Sequence, residues 1–385
     1  MYQDMEMLRC ALVRGGTSKG VFIRKNELPQ DPVKRDAVIR AIFGSPDVRQ
    51  IDGLGGADVL TSKLAIISPS TREGADVDYT FGQVSFDTDV VDYGGNCGNI
   101  SSAVGPFAID EGMVAPVEPV TTVRIHLTNS DNILVAEVPV KDGKAMAEGD
   151  FAIDGVPGTG AKITLDWADT VGAFTGKLLP TGRAQDIFRI DGKQYAMSIV
   201  DAGTTTVFIE AGSLGLKGTE SPQEIEGNKP LMAVIERIRA EAALRIGFID
   251  KVEDSVVRSP YNPFFAIVSR SADYISISGQ PVKGADVDLV ARLVFMQRMH
   301  KTYPVTGTVC TGAAVRIPGS VAWQALSDAA KARVTVNIGH PGGVIAVESD
   351  ADVSDGQVRM KRIGVYRTAR RIMDGIVYVK KSVYK

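Results

Sequence analysis

Apolar and polar residues alternate with a period of two along much of the chain. This pattern, rich in β-branched and aromatic residues, covers six segments: residues 77–84, 121–127, 133–140, 194–200, 344–347 and 358–366. Such alternation is typical of β-strands that have one face buried. The chain is therefore predicted to consist mostly of β-sheet.

Three segments instead have the apolar spacing of an α-helix. Asp31 and Pro32 supply an N-cap and a first-turn proline for a helix that Gly44 ends. Apolar stripes over residues 231–242 and 289–299 predict two more helices. Because strands outnumber helices and no strand–helix–strand rhythm occurs, we expect these helices to pack inside or against curved sheets.

Two short segments are similar to each other. Residues 93–99 (YGGNCGN) and residues 303–308 (YPVTGT) each run into a stretch of small residues. Each predicts a tight loop that feeds a closely packed helix. A duplicated domain, with two related halves facing each other across a cleft, would explain the similarity.

Length and charge narrow the class of protein. The chain has 385 residues, more than the roughly 250–300 residues at which single cores stop growing, so two domains are expected. The net charge of -3 is spread without like-charge runs, which argues against nucleic-acid or membrane partners. The first ten residues lack a signal-peptide pattern and no apolar run has transmembrane length, so we expect a cytoplasmic protein.

Cysteines and histidines are too few and too scattered for a recognisable metal or disulfide motif. The three cysteines are Cys10, Cys97 and Cys310, and no C-x-x-C pair occurs. The three histidines, at none of the usual metal-site spacings, are His126, His300 and His340. We therefore expect no metal site.

Cys97 is the first candidate for chemistry. It follows Gly94 and Gly95 and precedes Gly98, where the loop is predicted to enter a helix. The positive end of a helix dipole favours a thiolate, which makes Cys97 a credible acid or base. Backbone N–H groups from Cys97 to Asn99 could also hold a carboxylate. A buried thiol that only fills space remains the alternative.

Lys63 is the second candidate. It ends a glycine-rich loop and begins an apolar strand. Partial desolvation at such an entry would favour the neutral, basic form of the amine. A solvated surface lysine remains the alternative, because most lysines are of that kind.

Residues 14–20 (RGGTSKG) form the third candidate. They are not a P-loop, since the serine precedes the lysine and the required glycine spacing is absent. Gly16, Thr17, Ser18 and Lys19 would suit a nest of donors for a substrate carboxylate. A plain hairpin turn is the alternative.

The second half of the chain offers weaker candidates. Ser278, His300, Thr306 and Gly307 could face the same cleft from the other domain. A lone histidine beside an apolar segment is more often structural than catalytic. The residues alone therefore assign no role here.

Taken together, residues 14–20, 51–63, 93–100 and 303–312 resemble the PrpF family, and the resemblance extends over essentially the whole chain. Members of this family isomerise methylaconitate, methylitaconate, aconitate or oxalomesaconate. They share the fold of diaminopimelate epimerase, with two similar domains that are each a β-barrel-like sheet around a central helix.

The resemblance implies an α+β fold with its active site in the cleft between two epimerase-like domains. We expect the first domain at residues 1–188, completed by a C-terminal strand at 372–385, and the second at residues 189–371. Residues 43–53 and 96–101 are most similar to the methylitaconate isomerases of the family.

The resemblance also implies roles for particular residues. The acid/base lysine and cysteine of the family fall on Lys63 and Cys97. The substrate-holding positions fall on Ser18, Lys19, Asn96, Gly98, Ser278, His300 and Thr306. Gly16, Thr17 and Asn99 complete the predicted binding set.

The spacing around the two tyrosines favours double-bond migration over stereoinversion. Aligned on those tyrosines, the counterpart of Cys97 is Gly307, so a two-thiol racemase arrangement is missing. Cys310, three positions later, is the remaining alternative thiol. A racemase needs an acid and a base on opposite faces of one carbon, whereas a 1,3-proton shift needs groups near two carbons, and Lys63 can supply the second.

We therefore expect an isomerase that needs no cofactor and acts on a small unsaturated di- or tricarboxylate by an allylic proton shift or cis–trans isomerisation. The alternatives are a 4-oxalomesaconate tautomerase, a cofactor-independent epimerase or racemase, and a non-catalytic carboxylate-binding protein. Pocket shape decides among such similar acids, so the sequence leaves the substrate open. A homodimer would be an ordinary assembly.

Overall fold

Sheet dominates the computed structural model, which describes residues 3–354 and 356–384; residues 1, 2, 355 and 385 lie outside that description. The strands of the described part are β1 (Met5–Gly15), β2 (Ser18–Arg24), β3 (Lys63–Pro69), β4 (Val77–Val84), β5 (Val91–Asp92), β6 (Val120–Leu127), β7 (Asn132–Lys141), β8 (Lys144–Ala145), β9 (Ile163–Asp166), β10 (Asp186–Ile190), β11 (Lys193–Ala202), β12 (Thr204–Glu210), β13 (Phe264–Arg270), β14 (Tyr274–Ile275), β15 (Pro281–Val282), β16 (Leu289–Phe295), β17 (Arg298–Met299), β18 (Thr335–His340), β19 (Gly343–Ser354), β20 (Gln357–Arg367) and β21 (Ala369–Lys380). The α-helices are α1 (Pro32–Phe43), α2 (Gly98–Ser101), α3 (Val104–Asp110), α4 (Pro222–Gly227), α5 (Lys229–Arg245), α6 (Ser255–Arg258), α7 (Val305–Ala314), α8 (Val321–Ala325), α9 (Asp328–Lys331) and α10 (Lys381–Tyr384). Among these described helices none is long and apolar enough to cross a membrane.

Contacts divide the chain into two compact units. The first comprises Met1–Leu165 and Arg367–Lys385, and the second comprises Asp166–Tyr366. The boundary expected after residue 188 lies within the second unit. Strand β21 belongs to the first unit, where it pairs with β1.

The first unit has a defined order of strand pairing. Strand β1 pairs antiparallel with β2, β2 parallel with β3, β3 antiparallel with β4, β4 parallel with β6, and β6 antiparallel with β7. Helix α1 connects β2 to β3, and α2 and α3 lie between β4 and β6. Strand β21 lies antiparallel to β1 on its other side.

The second unit repeats this order. Strand β11 pairs antiparallel with β12, β12 parallel with β13, β13 antiparallel with β16, β16 parallel with β18, and β18 antiparallel with β19. Helices α4 and α5 connect β12 to β13, and α7 lies between β16 and β18. The repeated order confirms the predicted α+β fold with two similar halves.

One face of each sheet is covered by its longer helix. Helix α1 begins at its N-cap Asp31, whose side chain accepts a hydrogen bond from the backbone of Lys34, and ends at Gly44. Its apolar side chains share a core cluster with β1, β2 and β3. Helix α5 shares a cluster with β11, β12 and β13 in the same way. Both predicted helices are confirmed.

The other face of each sheet packs on a buried central helix. Every residue of α7 is buried, and α7 contacts β11, β12 and β19. In the first unit, the ring of Phe107 on α3 lies 5.4 Å from the ring of Phe22 on β2. Cys97, which immediately precedes α2, lies on this face of the first sheet.

The strand predictions hold, but the helix predicted over residues 289–299 is wrong. The six alternating segments fall within β4, β6, β7, β11, β19 and β20. Residues Leu289–Phe295 instead form β16, which lies between β13 and β18 and is buried at all seven positions. A central strand buried on both faces has no alternation, and Leu289 and Leu293 are by chance four residues apart.

Candidate active site

Lys63 and Cys97 form a buried contact in the first unit. The Nζ of Lys63 donates a hydrogen bond to the Sγ of Cys97 at 3.2 Å, across 34 residues of sequence. Each of the two residues is 6% exposed. Lys63 is the first residue of β3, and Cys97 immediately precedes α2. An amine and a thiol at this distance can exchange a proton directly.

Strand alternation directs Lys63 towards the central helix. Leu64 and Ile66 pack with α1 on one face of β3, so Lys63 projects from the opposite face. Its Nζ lies 6.0 Å from the ring centroid of Phe81 on the adjacent strand β4. The amine is therefore held against an aromatic face in a pocket that excludes most water.

Two buried glutamines anchor the loop that precedes Lys63. The Nε2 of Gln50 donates to the Oγ of Ser62 at 2.7 Å, and that hydroxyl donates to the carbonyl of Val84 at 2.8 Å. The Nε2 of Gln83 donates to the Ser62 carbonyl at 2.9 Å. Both polar groups of Ser62 are thus fixed, which sets the point at which Lys63 enters the strand.

The turn between β6 and β7 holds the loop that carries Cys97. Asn129 in this turn donates from Nδ2 to the carbonyl of Tyr93 at 2.8 Å. The next residue, Ser130, accepts a hydrogen bond from Nδ2 of Asn96 at 2.8 Å. Asn96 is fully buried, so the residue next to Cys97 has a fixed orientation.

Residues 14–20 form a hairpin turn whose tip is attached to α2. Gly15 and Ser18 close the β1–β2 ladder, which leaves Gly16 and Thr17 as the turn. Gly16 has a φ of 50°, the left-handed region that favours glycine. Asn99 donates to the Thr17 hydroxyl at 3.1 Å and accepts from the Thr17 backbone at 3.3 Å. The predicted binding residues Gly16, Thr17 and Asn99 therefore lie together.

Two arginines support this tip. The Nε of Arg367, which is 6% exposed, donates to Oδ1 of Asn99 at 3.1 Å. Burial lowers the pKa of the Arg367 guanidinium to about 10. Arg14 donates to the carbonyls of Gly16 and Thr368, each at 2.9 Å. These cations favour a bound anion at the hairpin tip.

Ser18 and Lys19 point to opposite faces of β2. Lys19 shares the face of Val21 and Ile23, which pack with α1. Ser18 lies on the same face as Lys63 and is 2% exposed. Its hydroxyl has no hydrogen-bond partner among the residues that the structure describes. The Ser18 hydroxyl, rather than the Lys19 ammonium, is therefore on the face that carries the lysine–cysteine contact.

Within the second unit, Ser278 lies near the turn between β18 and β19. The Oγ of Ser278 is 2.9 Å from that of Ser276, and the intervening Ile277 donates to the carbonyl of Pro341 in this turn. His300 is buried and accepts from the Thr302 backbone at Nδ1, at 3.1 Å.

Thr306 lies apart from that turn in the sequence and is the second residue of α7. Thr306 is 1% exposed. The structure therefore places this hydroxyl at the start of the central helix, in the same unit as Ser278 and His300.

The alternative thiol, Cys310, is unsuited to proton transfer with a substrate. It lies inside α7, is fully buried and donates to the carbonyl of Val200 at 3.3 Å. Burial raises the pKa of its thiol to about 12. Cys97 is the residue immediately before α2, whereas Gly307 is the third residue of α7. When the two helices are aligned at their first residues, the counterpart of Cys97 is Pro304. Neither alignment gives a second thiol at this position.

The counterpart of Lys63 is also apolar. Strand β13, which corresponds to β3, begins at Phe264. The Phe264 ring lies 5.2 Å from the ring of Tyr261 and 5.5 Å from that of Phe295. The amine–thiol contact thus belongs to the first unit, and the second has an aromatic cluster at the corresponding place.

Four supporting residues were not identified from the sequence: Gln50, Gln83, Asn129 and Arg367. Gln83 did have a signal, because it is a polar residue at a core-facing phase of the strand that contains Phe81. Arg367 is 268 residues from its partner Asn99, a separation that no local pattern reveals. Among the described residues no group of three or more histidine, cysteine or acidic side chains is arranged to hold a metal ion.

Comparison with solved structures first defines the class. The crystal structure of a hydroxyproline epimerase from Agrobacterium vitis matches with a TM-score of 0.57, covering 97% of this chain and 93% of that one. At 12% identity this likeness shows the fold alone. The two similar halves are therefore those of an epimerase-like fold.

The sequence then defines the family. Residues 5–380 match the family described as PrpF protein, and the chain belongs to it. The 3-methylitaconate isomerase of Eubacterium barkeri is 53% identical over 98% of this chain and 99% of its own length. The 2-methyl-aconitate isomerase of Cupriavidus necator is 38% identical, covering 97% of each chain.

A solved relative agrees with these matches. The crystal structure of methylitaconate-delta-isomerase has a TM-score of 0.85 and 52% identity, and covers 100% of this chain and 98% of that one. These three proteins are named isomerases, and this chain is an isomerase of the same family.

Proposed function

We propose that the protein catalyses a 1,3-proton shift in a small unsaturated di- or tricarboxylate, with Lys63 and Cys97 as the acid/base pair. The observation that carries this proposal is the 3.2 Å contact between the Lys63 amine and the Cys97 thiol. The pair is buried, lies beside a hairpin with charged and hydroxyl donors, and needs only proton transfers to act.

The reaction needs two proton transfers at two carbons. One member of the pair removes a proton from the allylic carbon, so that a C–H bond breaks and its electrons pass into the conjugated carboxylate. The other member then delivers a proton to the far carbon of the allyl unit, and the double bond has moved. The direct contact between Nζ and Sγ allows a proton to return across the pair and restores the starting state.

Negative charge builds on the substrate carboxylate between the two steps. The Ser18 hydroxyl, which is buried without a partner in the described structure, and the Thr17 hydroxyl offer donors for this charge. Arg367 and Arg14 add positive charge behind the hairpin tip. Such fixed donors stabilise an enolate-like state without reorganising during the reaction.

The same proposal extends to the second unit. Asn96 and Gly98 in the first unit and Ser278, His300 and Thr306 in the second are proposed to complete substrate binding, as the family resemblance implies. Lys19 is left out of this set because its side chain is on the opposite face of β2. His300 accepts a hydrogen bond from the Thr302 backbone at Nδ1, at 3.1 Å.

The substrate we propose first is 3-methylitaconate. Its support is the relative named 3-methylitaconate isomerase, which is 53% identical over nearly the whole chain. Methylaconitate, aconitate and oxalomesaconate are the acids to compare with it. We also propose a cytoplasmic location, because the cysteines of the described chain are free thiols, which suits a reducing compartment.

The test is proton NMR in D₂O on chelator-treated protein with this panel of acids. We expect the terminal methylene signals of 3-methylitaconate to disappear as the double bond migrates and deuterium enters. Lys63→Ala and Cys97→Ser should each lower the rate by about 10²- to 10⁴-fold. Cys310→Ala is the matched thiol control and should keep the rate within about twofold, on the same scale.

Each other outcome identifies a different function. Exchange at a single carbon with no movement of the double bond would indicate an epimerase or racemase. Turnover of oxalomesaconate alone would indicate a tautomerase. Binding without turnover of any acid, unchanged in Cys97→Ser, would indicate a carboxylate-binding protein and would remove the pair from its proposed role.

A further inference from the structure

Gln83 is the residue opposite Lys63 on the neighbouring strand. Lys63 of β3 and Gln83 of β4 are direct partners in the antiparallel ladder. Directly opposed residues in such a ladder project from the same face, with Cβ atoms about 4.5–5.5 Å apart. Phe81, two residues earlier on β4, faces the Lys63 amine from the same side. Gln83 therefore emerges on the face where Lys63 meets Cys97.

The orientation of the Gln83 amide is set by the loop before Lys63. Its Nε2 donates to the carbonyl of Ser62 at 2.9 Å and to that of Val59 at 3.3 Å. Because both partners can only accept, the amide nitrogen must face them and Oε1 must point away. Gln83 is 3% exposed, and its Oε1 has no hydrogen-bond partner among the residues that the structure describes.

A buried amide oxygen without a donor is unfavourable, and such atoms need an explanation. An ionised di- or tricarboxylate offers only acceptors in its carboxylate groups, so these groups cannot satisfy Oε1. A protonated Lys63 has three N–H bonds, and the contact with Cys97 uses one of them. A remaining N–H bond of the lysine ammonium can therefore donate a hydrogen bond to Oε1 of Gln83.

We propose that Gln83 is a positioning residue for Lys63, whose ammonium it accepts at Oε1 in the half-reaction in which the lysine holds the transferred proton. The inference rests on the proposed proton shift and deepens it. Gln83 forms and breaks no covalent bond. It fixes one N–H of the ammonium so that the others point towards Cys97 and the substrate carbon.

The first test compares two substitutions of Gln83 over a range of pH. Gln83→Met keeps the length of the side chain and removes the acceptor, whereas Gln83→Glu supplies a charged acceptor. A hydrogen bond to a charged group corresponds to roughly 10- to 100-fold in rate, so Gln83→Met should lower kcat by that factor. The KM should stay within about twofold, because the substrate is not the partner.

The pH profile separates positioning from a merely structural role. Gln83→Met should move the limb of the pH–rate profile that reports the lysine to lower pH, because the ammonium loses its acceptor. Gln83→Glu should move the same limb to higher pH, because a carboxylate stabilises the ammonium more strongly.

Gln50→Met is the matched control. Gln50 is a buried glutamine that binds the same Ser62, through the hydroxyl rather than the carbonyl, and it is not opposite Lys63. Gln50→Met should lower the urea concentration at the midpoint of unfolding and should not shift the limb of the pH–rate profile that reports the lysine. Equal profiles for Gln83→Met and Gln50→Met would overturn the inference. So would a raised KM with unchanged kcat in Gln83→Met, which would assign Gln83 to the substrate.

A second readout does not depend on turnover. The rate of Cys97 alkylation by iodoacetamide at neutral pH, corrected with Cys97→Ser, reports the thiolate that pairs with the ammonium. It should fall in Gln83→Met and not in Gln50→Met. If it falls while the parent turns over no acid, the contact between Gln83 and the Lys63 ammonium stands, but the proposed function fails, and the half-reaction assigned to that contact fails with it. If the parent turns over an acid and neither alkylation nor the pH limb changes, only the inference fails.

Discussion

Placing a methyl group on Gly16 should detach the hairpin tip from α2. A Cβ built at this position would lie 2.1 Å from Oδ1 of Asn99 and 3.0 Å from Cδ of Arg367. The φ of Gly16 is also 50°, which an alanine adopts only with strain. Gly16→Ala therefore combines backbone strain with displacement of the Asn99 amide.

The two effects can be given separate magnitudes. A left-handed backbone at a non-glycine residue costs roughly 1–2 kcal/mol. Moving Asn99 removes its hydrogen bonds with Thr17 and Arg367, each worth about 0.5–1.5 kcal/mol. Gly16→Ala should therefore lower the free energy of unfolding by about 2.5–6.5 kcal/mol. It should also weaken substrate binding, because the carboxylate donors at the tip move.

Gly74→Ala measures the cost of the left-handed backbone without the steric clash with Asn99. Gly74 is in the same unit and has a φ of 79°, but an added Cβ there meets nothing within 4 Å. It should cost only the roughly 1–2 kcal/mol of the backbone term. Urea unfolding measures both variants, and the kinetics with 3-methylitaconate should show a raised KM for Gly16→Ala alone.

A third variant tests the assigned cause. In the Gly16→Ala background, Asn99→Ala removes the obstructing amide and should cost little further stability, whereas in the parent it should cost the hydrogen bonds of Asn99. If Gly16→Ala and Gly74→Ala lose the same stability, or if Asn99→Ala is equally costly in both backgrounds, the steric reasoning is refuted.

Three further predictions follow from the described contacts. The double variant Lys63→Ala with Cys97→Ser should be about as slow in the NMR assay as the slower single variant, because residues that act as a unit are non-additive; multiplied losses would contradict the direct contact. Limited iodoacetamide labelling followed by mass spectrometry should modify Cys97 before Cys310, whose pKa burial raises to about 12; the reverse order would contradict the assigned accessibility. Burial alone would raise the pKa of Glu111, but Arg371 and Arg24 outweigh it and lower the pKa. The ionised Glu111 therefore stabilises the fold at pH values above the ordinary glutamate pKa, and this stabilisation is lost as the pH falls through the lower pKa that Glu111 has in the folded protein. In Glu111→Gln, the free energy of unfolding measured with urea should therefore fall less steeply as the pH is lowered; an unchanged slope would contradict this.

The elements of the fold were predictable where burial is one-sided. Alternation identified strands such as β4 and β7, and Asp31 with Gly44 identified both ends of α1. Strand β16 was not predicted because it is buried on both faces. Its sequence therefore lacks the alternating polar residues that reveal the two-residue period of a strand. The similar loops before α2 and α7 predicted a duplication, and the same order of strand pairing occurs in both units.

The candidate site was predictable only in part. Local sequence places Lys63 at a strand entry and Cys97 at a helix entry, and the resemblance to a family brings them into one site. The 3.2 Å contact itself depends on the pairing of β2 with β3 and on α2 packing behind them. Supports such as Arg367 reach the site through tertiary contacts, so no spacing along the chain reveals them.

The place of β21 in the first sheet has a consequence for the order of biosynthesis. This strand pairs with β1 along eleven residues of register, from Met5 with Lys380 to Gly15 with Ala369. The adjoining Arg367 and Thr368 hold Asn99 and the hairpin tip. The ribosome therefore makes the second unit in full before it makes the strand that completes the first. The half that carries the lysine and the cysteine is the first to be translated and the last to be finished, which leaves its β1 edge open to chaperones during synthesis.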